Sequence, residues 1–320
     1  MQRGESSRRR PGRLNSEMPE LPFIQVLVEN LAPQLVGRTI ENVHLSSPAV
    51  LKTVAPPLDE VRGRSVERVR RTGKVIILDL TGDRSMVFHL MRNGRLQIGP
   101  SRSRSRTLNP SAASGSGARA ARPSRDVALM ITLDDGRELR FVEIGPKKRA
   151  SLYVLPSEDM DQREPLEGLG VDPLGDEFTP ERLREMAASE SGRLKHFLTL
   201  QRYITGIGNA FSDEILWEAK LSPFVRTSKL TADEITQLHG AIRTTLARAL
   251  EEHRREFVDA LPMKEPLHLL RVHRHGGESC PRCGTRIAQV AYAEKETYYC
   301  PSCQTGGKVY ADRRLSRLLK

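Results

Sequence analysis

The chain holds only four cysteines, one tryptophan and 5% aromatic residues. No apolar run in it approaches the roughly 20 residues needed to cross a bilayer, which speaks against a membrane protein. The arginine-rich N-terminus has no apolar core, so it does not read as a secretory signal. Acid is also in deficit: 40 acidic residues face 51 lysines and arginines over 320 residues, a net charge of +11 with a pI near 9.8. Such an excess points to a polyanion, nucleic acid first, although charge alone does not separate this from a generic basic protein. A reducing cytoplasmic or nucleoid setting is expected, where thiols bind metal rather than pair.

The few cysteines are well placed. They form two pairs, Cys280-Pro-Arg-Cys283 and Cys300-Pro-Ser-Cys303, separated by sixteen residues. That spacing suits one tetrahedral zinc ion, each pair closing a short knuckle; two disulfides or four free thiols are the alternatives. Four protein ligands leave no open position, so the Zn2+ would be structural. Tyr292, Tyr298 and Tyr299 lie in an alternating stretch that predicts a two-stranded ribbon, and Gly284 offers the knuckle turn.

Residues 1–17 are polar, carry five arginines and read as a disordered basic tail. Apolar spacing predicts a helix over 23–35, closed by Gly37. Strands are expected at 39–45, 65–71, 74–80, 85–90, 127–133, 138–143 and 150–154, cut by turn residues. Residues 99–126 read as a flexible basic loop. Helical spacing follows at 181–188, 192–203, 209–219 and 232–261, the last opened by the capping box Thr231–Glu234. The expected class is α+β: an antiparallel β-sandwich with a flanking helix (18–157), a helical domain (158–264), a zinc ribbon (265–305) and a basic tail (306–320).

Two stretches invite a phosphate. Gly206-Ile-Gly208-Asn209 allows a tight turn whose amides could face an anion, with Asn209 placed to cap the next helix. Gly145-Pro-Lys147-Lys148-Arg149 carries three consecutive cations, a phosphate grip or simply a solvated face.

Together these pieces resemble the formamidopyrimidine-DNA glycosylase/endonuclease VIII family. Met18-Pro-Glu-Leu-Pro22 resembles its N-terminal signature, and Gly73-Lys74 before an apolar strand its second motif. Lys195 through Asn209 and Asp213-Glu-Ile-Leu216 resemble its helix–two-turn–helix, and Cys280–Gln304 its zinc ribbon. The resemblance implies a base-flipping repair enzyme acting on double-stranded DNA with a damaged base or abasic site. It implies that Pro19, once Met18 is removed, attacks C1′ through its secondary amine, and that the resulting iminium permits elimination of the 3′ phosphate. Glu20 would be the general acid/base. Lys74 would act at the lesion phosphate and donate a proton in β-elimination. Lys195, Gly208 and Asn209 would hold backbone phosphates.

Several positions depart from the family pattern. Phe23 replaces a glutamate. His89-Leu-Met91-Arg92 either shifts the wedge residue to Met91 or replaces it by Arg92. Lys147, Lys148 and Arg149 stand where the intercalating aromatic would be sought. Lys295 takes the place of an arginine beside the lesion phosphate, as a point charge rather than a bidentate fork. The expected activity is base-excision glycosylase with AP lyase, in a monomer associated with the nucleoid. A non-catalytic or lyase-only zinc-dependent binder of damaged DNA is the alternative. An amide nitrogen at Pro19 cannot do this chemistry, so translation is expected to start at Met18.

Overall fold

The computed structural model describes residues 18–100, 126–158, 160–292 and 295–310, with backbone alone at Tyr292 and Lys295. The expected tail 1–17, most of the expected loop 99–126 and the last ten residues lie outside the described residues.

Helix α1 (Leu21–Leu35) carries Pro22 in its first turn, where a missing N–H costs nothing. Its stripe of Phe23, Ile24, Leu27 and Leu31 faces a core shared by two antiparallel sheets. One sheet runs β1 (Ile40–Leu45), β6 (Val127–Leu133), β7 (Arg137–Glu143), β5 (Gly94–Pro100). The other runs β2 (Val66–Thr72), β3 (Val75–Leu80), β4 (Arg84–His89), β8 (Ser151–Leu155). Their inner faces meet at Phe88 and Phe141, ring centroids 5.3 Å apart and edge to face. Every residue of β3 is buried, because Val75 and Ile77 on its outer face are covered by Leu155, Met160 and Leu166. A strand covered on both sides reads as a near-continuous apolar run, here residues 75–78 directly after Lys74.

Strand β5 was not among the expected strands. Glycine at both ends and Arg95 near its start hide it. Arg95 is nonetheless buried, because its guanidinium donates to the carbonyls of Arg92 (2.9 Å) and Gly94 (2.6 Å) and to that of Met263. The loop expected from residue 99 therefore begins inside a strand.

The helical part comprises α2 (Pro180–Ala188), α3 (Leu194–Leu198), α4 (Asn209–Glu218) and α5 (Ala232–Glu256) around Phe197, Ile207, Phe211, Ile215 and Leu246. The capping box at Thr231 and Glu234 forms as expected. The helix expected over 192–203 stops at Leu198. Beyond it the carbonyls of Gln201 and Tyr203 accept from Gly170 (2.8 Å) and Val171 (3.0 Å) instead of from a following helical turn. Helix α5 stops at Glu256, short of 261, because the carbonyls of Phe257 and Ala260 both accept from Asn30 Nδ2 of α1, at 2.7 Å each. The ribbon pairs β9 (Ala288–Tyr292) with β10 (Lys295–Tyr299), followed by α6 (Pro301–Gln304). No helix among the described residues is long and apolar enough to cross a membrane.

Candidate active site

Glu20 precedes α1 but does not cap it; its carboxylate crosses to another helix. Oε2 accepts from the amides of Gly208 (2.5 Å) and Phe211 (3.2 Å), and Oε1 from Ala210 (2.9 Å). These are the orphan amides at the start of α4, where the helix favours negative charge. The sequence suggested that the glycine turn would offer these amides to an external anion and that Asn209 would cap α4. Instead Gly208 is the N-cap residue, without a side-chain cap, and a carboxylate 188 residues upstream takes the amides. Burial pushes the Glu20 carboxyl above the usual glutamate range; Lys74 pulls it down and Glu265 pushes it up.

Glycine is required twice here. Gly206 has φ +85°, and a Cβ there would meet the Leu21 Cβ at 2.7 Å. A Cβ on Gly208 would sit 2.5 Å from Glu20 Oε1 and 2.6 Å from Lys74 Nζ. The two head groups therefore converge over a bare backbone. Gly208→Ala should force them apart and slow base release by about a hundredfold, a cost typical of ångström-scale misplacement. A single-turnover assay checks this, and a wild-type rate would contradict the convergence.

Glu20 and Lys74 open onto a cleft of about 290 Å³, lined also by Met18, His89, Arg92 and Asn209. Pro19 is buried beside it. His89 Nδ1 accepts from the Met91 amide (3.1 Å), and burial with the neighbouring Lys74 charge lowers its pKa to about 4. A neutral imidazole with Nδ1 occupied keeps its proton on Nε2. Arg92 is exposed at the cleft, while Met91 is half-buried with φ +51°. The Asn209 side-chain oxygen is buried with no partner among the described residues. Phe23 does not line the cleft; it is fully buried against Phe257, 6.4 Å away.

Lys195 points inward. Its ammonium donates to Asp213 Oδ1 (2.6 Å) and to the Glu296 carbonyl of β10 (2.7 Å). Asp213 also meets His273 Nδ1 at 2.8 Å. The adjacent Glu214 accepts from the amides of Arg271, Val272 and His273, each at 2.9 Å. Helix α4 thus holds the ribbon through two consecutive buried carboxylates. Lys195→Ala would remove the cation from buried Asp213, leaving the His273 ring beside it, and should cost about 3 kcal/mol, read as a lowered denaturation midpoint. An unchanged midpoint would deny the lock.

Lys147, Lys148 and Arg149 are all exposed. Glu143 shapes their turn: it accepts from the Ala150 amide at 2.7 Å and from the Arg149 amide. Lys148 turns back to the Glu143 carbonyl and to Asp126 (3.3 Å). Lys295 begins β10 opposite Tyr292, and its side chain lies outside what the structure describes.

The sulfurs of Cys280, Cys283, Cys300 and Cys303 all lie within 4.8 Å of one another. Individual pairs stand at 3.4 Å (Cys283–Cys300), 3.5 Å (Cys283–Cys303) and 4.0 Å (Cys280–Cys303). A tetrahedron with zinc–sulfur bonds of about 2.3 Å has edges of about 3.8 Å, so these thiols fit one structural zinc ion. Trp217 of α4 donates from Nε1 to Cys280 Sγ (3.3 Å), and Arg282 stacks 4.0 Å above its ring. The ribbon is therefore packed on α4 by the metal knuckle itself.

Residues 18–145 match the formamidopyrimidine-DNA glycosylase N-terminal domain, 169–258 its H2TH domain, and 277–306 the zinc finger found in FPG and IleRS. A formamidopyrimidine-DNA glycosylase of Symbiobacterium thermophilum is 32% identical over 90% of this chain and 89% of its own length. One from a Roseiflexus species is also 32% identical, over 90% of this chain and all of its own. The crystal structure of the MutM (Fpg) protein of Thermus thermophilus superposes with a TM-score of 0.74 at 26% identity, covering 91% of this chain and 100% of that one. The chain belongs to the formamidopyrimidine-DNA glycosylase family. It is a DNA-binding base-excision repair enzyme, a DNA glycosylase with the AP-lyase activity general to that family.

Proposed function

We propose that Pro19 is the nucleophile and Glu20 the general acid/base, in a form of the protein whose first residue is Pro19. The observation that carries this is the meeting of the Glu20 carboxylate and the Lys74 ammonium over Gly208, at the mouth of the cleft and one residue from Pro19. The Pro19 amine forms a bond to C1′ of the damaged nucleotide while the bond from C1′ to the base breaks. The base leaves with the proton that the amine gives up; the C1′–O4′ bond then breaks as O4′ takes a proton, and an iminium cation remains at C1′. Loss of a C2′ proton into that electron sink then breaks the bond to the 3′ phosphate. Glu20 assists ring opening and base loss, and Lys74 steadies the lesion phosphate and supplies a proton in the elimination.

Arg92 enters the gap left by the flipped base, which its exposed position at the cleft favours. Asn209 lines the same cleft and holds backbone phosphate. Lys147, Lys148, Arg149 and Lys295 contact the DNA backbone. Lys195 serves DNA binding indirectly, by holding the ribbon on α4. Gly208 serves by letting Glu20 and Lys74 meet. A Lactococcus lactis Fpg of similar fold, with a TM-score of 0.75, was solved with abasic-site DNA. The same kind of duplex is the expected ligand here, bound by a nucleoid-associated monomer with steep salt dependence.

Borohydride trapping on abasic duplex tests this. A form beginning at Pro19 should give a covalent complex that disappears when its terminus is acylated, and Pro19→Gly should localise the attachment. The full chain, with Pro19 in an amide bond, should give none. Equal trapping by the acylated protein would reassign the nucleophile.

A further inference from the structure

Glu265 lies between α5 and the ribbon, 245 residues from Glu20, yet its Oε1 accepts from the Glu20 backbone amide at 2.9 Å. Its other oxygen stands 3.4 Å from His253 Nε2. His253 is buried in α5, and its Nδ1 lies 2.7 Å from the Ala249 carbonyl, which can only accept. Nδ1 therefore carries a proton. Nε2 is then the ring nitrogen that faces Glu265. Arg95 of β5 completes the setting: it donates to the carbonyl of Met263, two residues before Glu265, and feels the Glu265 charge. Met18, Glu20, His253 and Glu265 line one small cavity together.

We propose that Glu265 is a positioning residue for the reactive dipeptide Pro19-Glu20, fixing the Glu20 amide by a hydrogen bond and acting on the Glu20 carboxyl through its charge. The inference rests on the roles proposed above for Pro19 and Glu20. The hydrogen bond orients the peptide plane that follows Pro19, so it sets the direction in which the amine points. The charge works against ionisation of Glu20, in the same sense as burial and opposite to Lys74. The charged and titratable groups facing this carboxylate are Glu20 from the N-terminal segment, His253 from α5 and Arg95 from β5.

Glu265→Gln separates the two effects, because its amide oxygen can still accept from the Glu20 N–H while the charge is gone. In the form beginning at Pro19, base release should lose its activity at a lower pH than in wild type. The alkaline limb should move down by about one pH unit, since removing a like charge lets Glu20 ionise earlier. The plateau rate on the acid side should stay within about threefold and DNA affinity should be unchanged. Glu265→Asp, which keeps the charge, should restore the limb. An unmoved limb in Glu265→Gln overturns the proposal, as does a parallel fall of rate, affinity and melting temperature at every pH, which would mark a purely structural residue. Borohydride trapping of the wild-type form run alongside keeps the two levels apart. No adduct there removes the Pro19 assignment, and this proposal with it. A wild-type adduct with an unmoved limb removes Glu265 alone.

Discussion

Glu20→Gln should lower the rate of base release by about 10²–10⁴-fold, the usual worth of a positioned general acid or base. Lys74, Arg92 and the zinc ribbon are untouched by the change, so affinity for lesion duplex should hold. The loss should therefore fall on the single-turnover rate. Glutamine also keeps only one acceptor oxygen where the carboxylate uses two against Gly208, Ala210 and Phe211. Its NH₂ group would face an amide N–H, so a modest drop in melting temperature should accompany the kinetic loss. The pH dependence follows from burial. A carboxyl held above the glutamate range keeps its proton to higher pH, and base release that needs that proton declines as pH rises through the raised value. Wild-type base release by Glu20→Gln at neutral pH would show that Glu20 is only the cap of α4.

Cys300→Ser should lose zinc and DNA affinity together, the second by on the order of tenfold or more. Metal binding in a small ribbon is folding free energy, roughly 10–16 kcal/mol for zinc-finger peptides at pH 7, so three thiols do not leave a weakened ribbon but an unformed one. Trp217 is the only tryptophan of the chain, and its indole N–H rests on Cys280 Sγ beneath Arg282. Its fluorescence should shift when the knuckle opens, giving a direct signal of release from α4. Glu214 and Asp213 would lose their partners at Val272 and His273 in the same event. DNA binding that persists unchanged in a metal-free variant would show that the ribbon is not a gripping element.

Much of this was legible in the chain because the determinants are local. Metal knuckles need ligands at short fixed spacing, so the four cysteines announce themselves. The capping box at Thr231 and Glu234, the helix before Gly37 and the strand after Lys74 are likewise written within a few residues. What escaped is long-range. The cap of α4 lies 188 residues from the amides that it satisfies, and the partner of the Glu20 amide lies 245 residues away, so no window of spacing could find Glu265. Lys195 looks like a surface cation until Asp213 and the Glu296 carbonyl close over it. Arg95 hides a strand for the same reason: a charge in a short segment reads as loop unless the carbonyls that neutralise it are known. Asn209 and Lys74 were visible by motif, but their convergence on one cleft with Arg92 is a property of the folded chain.

The capping of α4 by Glu20 has a consequence for safety. An enzyme that cuts the glycosidic bond and then the strand is hazardous if its chemistry runs before its recognition surfaces are assembled. With the proposed roles, the acid of the reaction is also the fastener between the N-terminal segment and the helical domain. When α4 is displaced, Glu20 loses its three amides together with its place beside Lys74. A nascent or partly opened chain is thereby disarmed, and the power to break DNA is conferred only by the completed fold.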